Sequence, residues 1–373
     1  MPQFNLVRSV EVVRSPRVLQ LEGFFDIPPS QRSERQWSVN LPLEEKPWHI
    51  GLIHGPSGSG KSTLAREAFG QNLIAGYDWP ADRSLVDAFP AALGIKDITG
   101  LLSSVGFSSP PSWLRPFSCL STGEQFRATI ARSLAEAQAL AVVDEFTSVV
   151  DRTVAQIGSA AIAKAVRRRN QKFVAVTCHA DVLDWLQPDW VCEMPNGEFT
   201  WRSLQRRPEI RLEIARVHRR VWELFEHHHY LDTHLHKAAK CFLGMIEGRP
   251  VVFSAALHSV GKKSYWREHR TVCLPDFQGV GIGNVMSEFV ASLFKATGKD
   301  YGSTTSNPAM IRHRARSPLW KMNRRPGLVR PDRNENKTVA VGLAESRSVS
   351  RLTAGFTYVG PARAEESRRF GVV

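Results

Sequence analysis

The chain has 373 residues, 42% of them hydrophobic, enough for two or three domains with cores of their own. Its net charge of +13 is unevenly placed: residues 1–200 hold 19 Lys and Arg against 21 Asp and Glu, while residues 201–373 hold 30 against 15. Five scattered cysteines without C-x-x-C spacing argue against a disulfide framework and a zinc site. No run of eighteen apolar residues occurs and Met1 to Val13 lacks a signal-peptide core, so a soluble cytoplasmic protein without membrane insertion is expected. A second half this basic suits a polyanion such as nucleic acid, a solvated basic surface being the alternative.

In chain order, Phe4 to Val13, Arg17 to Phe25 and Gln36 to Leu41 read as short alternating strands broken by prolines. In this β-rich flank Phe24 or Phe25 is either a core aromatic or a ring for stacking adenine. The apolar run Ile50 to Ile53 leads into Gly55-Pro56-Ser57-Gly58-Ser59-Gly60-Lys61-Ser62-Thr63, which fits G-x-x-x-x-G-K-[ST] at every fixed position. A strand, this loop and a helix from about Ser62 to Phe69 make a cradle of backbone N–H groups for the phosphates of ATP. Lys61 is placed for the β- and γ-phosphates and the Ser62 hydroxyl for Mg²⁺. Tyr77 to Pro116, rich in Pro, Gly and Ser, reads as small helices joined by turns.

Leu120-Ser121-Thr122-Gly123-Glu124-Gln125 then runs into an Ala-rich helix, Phe126 to Ala139, a turn that presents N–H groups and a hydroxyl to an anion. Leu140 to Val143 reads as a buried strand ending in Asp144-Glu145. Ser148-Val149-Val150-Asp151 follows, and the strand Phe173 to Thr177 ends at Cys178-His179. In this order the elements resemble the ATP-binding-cassette (ABC) ATPases, an α/β P-loop NTPase fold. Leu120 to Glu124 is similar to the family signature Leu-Ser-Gly-Gly-Gln, Asp144-Glu145 to Walker B, Ser148 to Asp151 to the D-loop, and His179 to the switch histidine. The resemblance implies that Asp144 holds Mg²⁺ through water, that Glu145 polarises the attacking water, and that His179 senses the γ-phosphate. It also implies that Ser121, Thr122, Gly123 and Glu124 act in trans, in a homodimer that sandwiches two ATP. Lys61 and Ser121 are only about 60 residues apart, and no glutamine stands at a Q-loop position, Gln71 being too close to the loop helix. The lobe that transporters use to reach a membrane subunit is thus short, so no transmembrane subunit is expected.

Gln205-Arg206-Arg207-Pro208 reads as a linker between a first domain, 1–204, and a second, 209–360, with a flexible tail at 361–373. The second domain reads as strand (Ile210 to Val217), helix (Arg220 to His229), strands (Ala239 to Glu247, Pro250 to His258, His269 to Leu274) and helix (Asn284 to Thr297), with further strands at Thr338 to Leu343 and Leu352 to Val359. Between strand and helix lies Gln278-Gly279-Val280-Gly281-Ile282-Gly283, whose glycines let backbone approach a pyrophosphate at a helix N-terminus. Gln278-x-x-Gly281-x-Gly283 resembles the acyl-CoA loop of the GNAT-type N-acyltransferases, an α+β fold, which implies acyl-CoA, with acetyl-CoA the first candidate. Tyr301, Ser303, Thr305, Glu268, Asp276 and His313 are candidates for the acyl-transfer groups, none fixed by a motif.

His227-His228-His229-Tyr230 reads as a solvated or substrate-facing surface rather than a metal site, because adjacent helical histidines point different ways. His229-Tyr230-Leu231 is loosely similar to a stretch in Mom-like DNA-modifying acyltransferases. Arg312, Arg314, Arg316, Lys321, Arg324 and Arg325 surround Trp320, a composition that suits either a nucleic-acid backbone with a stacked base or a helix with solvated arginines and a core indole. The expectation is an ABC ATPase fused to a GNAT-type acyltransferase, ATP gating access of a polyanionic acceptor. A non-catalytic docking module and a transporter subunit are the alternatives.

Overall fold

The computed structural model describes residues 3–29, 32–74, 76–137, 139–229, 234–259, 264–328 and 352–373. These fall into two compact units, one of Met1–Phe107 with Arg115–Pro208, the other of Ser108–Leu114 with Glu209–Val373.

In the first unit β1 (Gln3–Glu11) and β2 (Arg32–Asn40) form an antiparallel pair in unbroken register, Gln3 opposite Asn40 and Glu11 opposite Arg32. The segment between them, expected as a strand, is helix α1 (Pro16–Phe25). Ser15 caps it by accepting from the Val18 N–H, and Pro16 supplies the first helical φ, two start signals that outweigh the alternation of Val18 and its neighbours. No α1 residue is buried, so local signals rather than packing set its conformation.

The main sheet of this unit is built from β3 (Ile50–His54), β4 (Leu73–Ile74), β5 (Leu140–Val143), β6 (Lys172–Thr177), β7 (Trp190–Glu193) and β8 (Glu198–Trp201), with helices α2 (Lys61–Phe69), α3 (Ile95–Ser104), α4 (Thr122–Glu136), α5 (Arg152–Arg169) and α6 (Val182–Leu186) along the chain. Its order is β4-β5-β6-β3-β7-β8, parallel throughout except for the β7–β8 hairpin. Parallel strands covered on both faces read as continuous apolar runs, which is why β3, β5 and β6 were legible. The core joins Ile53, Leu64, Val142, Val174 and Trp190 to Leu6 and Val39 of the hairpin. Gly51 is needed here, since a Cβ at that position would collide with the Trp190 ring.

The second unit holds one seven-stranded sheet: β9 (Glu213–Val217), β10 (Lys240–Ile246), β11 (Arg249–Ser259), β12 (Tyr265–Cys273), β13 (Tyr301–Thr305), β14 (Trp320–Leu328) and β15 (Leu352–Tyr358), in the order β14-β15-β13-β12-β11-β10-β9. Helices α7 (Ile282–Lys295), α8 (Pro308–Arg316) and α9 (Ala364–Arg369) and the helical turn Pro110–Trp113 also belong to it. All pairings are antiparallel except β12 with β13, which are joined only at Trp266–Tyr301 and Arg267–Gly302. Beyond Arg267 these two parallel strands part, although β12 runs on to Cys273. The helix expected over 220–229 is two 3-10 turns, Arg219–Leu224 and Glu226–His228, which bury Trp222 and Phe225 against Phe253. The strand expected at Thr338 to Leu343 lies outside the described residues.

The last residues, expected as a free tail, are held. Ser367 is fully buried and donates to the Leu293 carbonyl at 2.8 Å, and the Arg216 guanidinium of β9 donates to the Phe370 carbonyl at 2.7 Å. Among the described residues no helix is long and apolar enough to cross a membrane.

Candidate nucleotide site and glycine-loop site

The carboxyl ends of β3, β5 and β6 meet at one edge of the parallel sheet, where open α/β sheets bind their ligands. The loop after β3 takes φ values of 148°, 75° and 95° at Gly55, Gly58 and Gly60. A Cβ on Gly55 would strike the Met194 carbonyl, and one on Gly60 would lie 2.9 Å from the Trp37 ring. The α2 N-terminus has no side-chain cap, and the Ser59 hydroxyl is buried without a partner. Lys61 folds back, its ammonium donating to the Pro56 carbonyl at 2.7 Å. Uncapped N–H groups, an orphaned hydroxyl and a movable cation fit the phosphate chain of a nucleotide with its Mg²⁺.

Beside the loop is a cavity of about 370 Å³ bounded by Arg35, Gln36, Trp37, Pro56, Ser57 and Ser59. The Arg35 guanidinium donates to the Gly58 carbonyl at 2.9 Å. Sequence reasoning missed Arg35 and Trp37; the available signal was the alternation Arg35, Trp37, Val39, which puts all three on one strand face with Val39 in the core. Phe24 and Phe25, the aromatics considered instead, are 81% and 70% exposed on α1.

Asp144 and Glu145 follow β5 directly. The Asp144 carboxylate accepts from the Glu145 N–H at 2.9 Å, and Glu145 itself is exposed at φ 53°, a left-handed backbone uncommon for a non-glycine residue. His179 follows β6, the strand lying between β3 and β5, so it leaves the sheet between the loop and the carboxylates; its N–H donates to the Thr177 hydroxyl at 3.2 Å. Ser121 caps α4 in a reciprocal box: its hydroxyl accepts from the Glu124 N–H at 3.3 Å, and the Glu124 carboxylate accepts from the Ser121 N–H at 3.0 Å. Ser121 and Thr122 are exposed, while Gly123 and Glu124 are buried, so the fifth residue of the signature-like stretch serves the helix cap. Asp151 caps α5 by accepting from the N–H groups of Thr153 and Val154.

In the second unit Gly279 and Gly281 take φ values of 95° and 99°, and Gly281 precedes α7 without a side-chain cap. A Cβ on Gly281 would meet nothing within 4 Å, so the space before the helix is open. The Gln278 amide is committed to the Cys273 carbonyl at 2.8 Å and to the Ser108 N–H, which fixes the loop from behind. An open, uncapped helix N-terminus leaves its first N–H groups without side-chain acceptors.

Most of the acyl-transfer candidates are committed to other groups. Tyr301 is fully buried between Phe294 and Trp320, its hydroxyl has no partner, and burial pushes its pKa well above the usual value, so it is a core residue and not a donor to substrate. Ser303 is 4% exposed, donates to Glu268 and accepts from Arg314. Arg314 reaches Glu268 at 2.9 Å and Ser287 at 2.7 Å, and Thr271 and Ser287 also donate to Glu268. Burial pushes the Glu268 carboxyl up, but Arg314 and the three hydroxyls outweigh it and hold the group below its ordinary range. Thr305 is spent on the Asn307 N–H, Asp276 sits in the 3-10 turn Pro275–Phe277, and His313 is half exposed beside Glu288 at 2.9 Å.

The basic segment also divides. Trp320 is buried, as in the second of the two readings, and Arg314, expected at the surface, is buried with it, the guanidinium 4.4 Å from the indole centre, so neither faces a nucleic acid; Arg312, Arg316, Lys321, Arg324 and Arg325 are exposed on α8 and the edge strand β14. Among the described residues no group of three His, Cys, Asp or Glu is placed to hold a metal, and Tyr230 and Leu231 lie outside them.

In the first unit the G-x-x-x-x-G-K-[ST] loop joins β3 to α2 at the carboxyl edge of a parallel α/β sheet. No protein-family model matches the chain, and no curated protein does. Among solved structures it is similar to a bacterial Atm1-family ABC exporter with ATP bound (16% identity, TM-score 0.33, 40% of this chain and 32% of that one). It is also similar to two dimeric structures of the ABC transporter cassette MJ0796: a post-hydrolysis state with ADP and Pi (14%, TM-score 0.37, 48% and 95%), and the bacterial cassette itself (15%, TM-score 0.36, 46% and 94%). The chain thus spans about a third of the exporter's length.

Proposed function

We propose that the first unit is an ABC-type ATPase and that the second transfers an acyl group from acyl-CoA to a nucleic acid or a nucleic-acid-bound acceptor. The observation that carries the first part is the convergence of the Gly55–Gly60 loop, Asp144-Glu145 and His179 on one edge of a parallel sheet. In this reading the loop N–H groups and Lys61 hold the phosphates, Trp37 supplies a ring beside the loop, and Ser62 and Asp144 hold the metal, which when bound neutralises charge on the phosphate oxygens. Glu145 takes a proton from water, and the exposed Ser121 and Thr122 complete the site of a second copy. Measuring ATP hydrolysis by the wild type and Glu145→Gln tests this: loss of turnover with retained binding is expected, and equal rates would refute the assignment of the base.

The second part rests on the open, glycine-opened N-terminus of α7 and on the parting of β12 from β13 next to it. One observation favours a docking module instead: Glu268, Arg314, Ser303 and Ser287 satisfy one another in a buried network, leaving no acid or base among them free for substrate. Calorimetry with acetyl-CoA separates the two readings. Binding supports the transferase, and its absence at millimolar ligand leaves the docking module.

A further inference from the structure

The chain leaving β4 is tied to α4 by a cluster of rings around one arginine, all inside the first unit. β4 pairs in parallel with β5, Leu73 opposite Val142 and Ile74 opposite Val143, so this chain emerges at the sheet edge that carries Asp144 and Glu145. It soon presents Tyr77 and Trp79, with ring centres 5.8 Å apart. The Arg132 guanidinium of α4 lies over both, 4.4 Å and 4.8 Å from their centres, and is steadied by Glu136 at 2.7 Å. Trp79 in turn stacks flat on Phe117, 4.3 Å away with 2° between the planes. The Phe117 carbonyl accepts from the Gln125 amide at 3.1 Å, and the Gln125 N–H donates to the Ser121 carbonyl at 2.8 Å.

A chain of contacts therefore runs from Tyr77 and Trp79, which follow β4, to the turn at Ser121. The Ser121 end is placed, in the ATPase reading on which this inference rests, where phosphate chemistry happens. Cation–π and stacking contacts are directional, so they fix distance and angle as well as burying area. The chain has no glutamine at the position where the resemblance leads one to look for it, and the segment after β4 offers this ring cluster instead.

We infer that Trp79 and Arg132 are positioning residues for ATP turnover, acting through Phe117 and α4 to hold the Ser121 turn in the geometry that a second copy of the chain must meet. Neither touches the phosphate loop, so nucleotide affinity should not depend on them.

The test uses the full chain with Trp79→Ala, Arg132→Met, which keeps the unbranched stem, and the conservative Trp79→Phe. The expected result is a kcat lowered about tenfold or more in the first two, equivalent to about 1.4 kcal/mol of barrier. KM and the affinity for a fluorescent ATP analogue should stay within about twofold, since a uniform loss of binding would raise KM instead. Trp79→Phe should recover most of the rate, and in a Glu145→Gln background Trp79→Ala should lose ATP-dependent dimers seen by light scattering. An unchanged kcat in both variants overturns the inference. So does a parallel loss of kcat, nucleotide affinity and melting temperature that Trp79→Phe does not relieve, which is the mark of a merely structural cluster. Arg132→Met keeps the test decisive if Trp79→Ala fails to fold. A wild type that does not hydrolyse ATP overturns the ATPase reading itself, and this inference with it.

Discussion

The Trp37 indole occupies the space that a side chain on Gly60 would need, since a Cβ at that position would lie 2.9 Å from the ring. The hairpin strand β2 and the phosphate loop are therefore fitted to one another, and Gly60, at φ 95°, has two independent reasons to be glycine. Gly60→Ala should cost about 1–2 kcal/mol in backbone strain alone and displace Trp37, lowering ATP affinity by about tenfold or more. Isothermal titration with ATP checks this; unaltered affinity would show that the loop relaxes freely.

Lys61 is the one lysine of the loop, and its ammonium now rests on the Pro56 carbonyl. Lys61→Ala should remove the cation facing the phosphates and abolish measurable ATP binding, whereas Glu145→Gln should bind ATP and accumulate as a dimer. Sedimentation of both variants with and without ATP distinguishes the outcomes.

Glu268 and Arg314 form an ion pair whose side chains are 7% and 1% exposed. Removing either partner leaves a buried charge, so Arg314→Met should destabilise the second unit by about 3–5 kcal/mol. The pH dependence has a definite sign. With the Glu268 carboxyl held below its ordinary value of 4.5, the pair contributes fully above that value and its contribution is lost as pH falls through the lower folded-state value. Acid melting curves of the wild type and of a Glu268→Gln, Arg314→Met double variant should converge at low pH; a difference that grew with acidification would contradict the assignment.

Arg312, Arg316, Lys321 and Arg325 are four of the exposed cations of α8 and β14, the fifth, Arg324, donating to the Thr353 hydroxyl. If the second unit binds nucleic acid, replacing all four with Ala should flatten the salt dependence of binding by up to about four charges' worth, with affinity falling for every sequence alike. Electrophoretic mobility shifts across a salt series check this. Trp320→Ala should instead lower the melting temperature, because the indole is covered by Arg314 and packs on Tyr358.

The strands of the parallel sheet and the phosphate loop were legible because each carries its own signal, an apolar run or a glycine spacing, within ten residues. What escaped was set by neighbours distant in sequence. Trp37 becomes a site residue only once Leu6 and Val39 seat the hairpin in the core. Arg314 reads as one more surface arginine until Glu268, 46 residues earlier, is found beside it. α1 differs for the opposite reason: its start signals, Ser15 and Pro16, are local and outweigh the strand-like alternation of its apolar residues. Ser303 and Tyr301 have the chemistry of transfer groups and the location of core residues, a difference that composition does not record.

Arg216 of β9 holds the carbonyls of Phe370 and Gly371, so the edge strand that begins the second unit's sheet is bonded to residues more than 150 positions later. During synthesis β9 leaves the ribosome long before these partners. The strand can pair with β10 early, but its outer side stays unfinished until Phe370 and Gly371 have emerged. Nascent chains stalled with Phe370 still inside the ribosome should thus carry a second unit more open to protease at β9 than chains in which it has emerged.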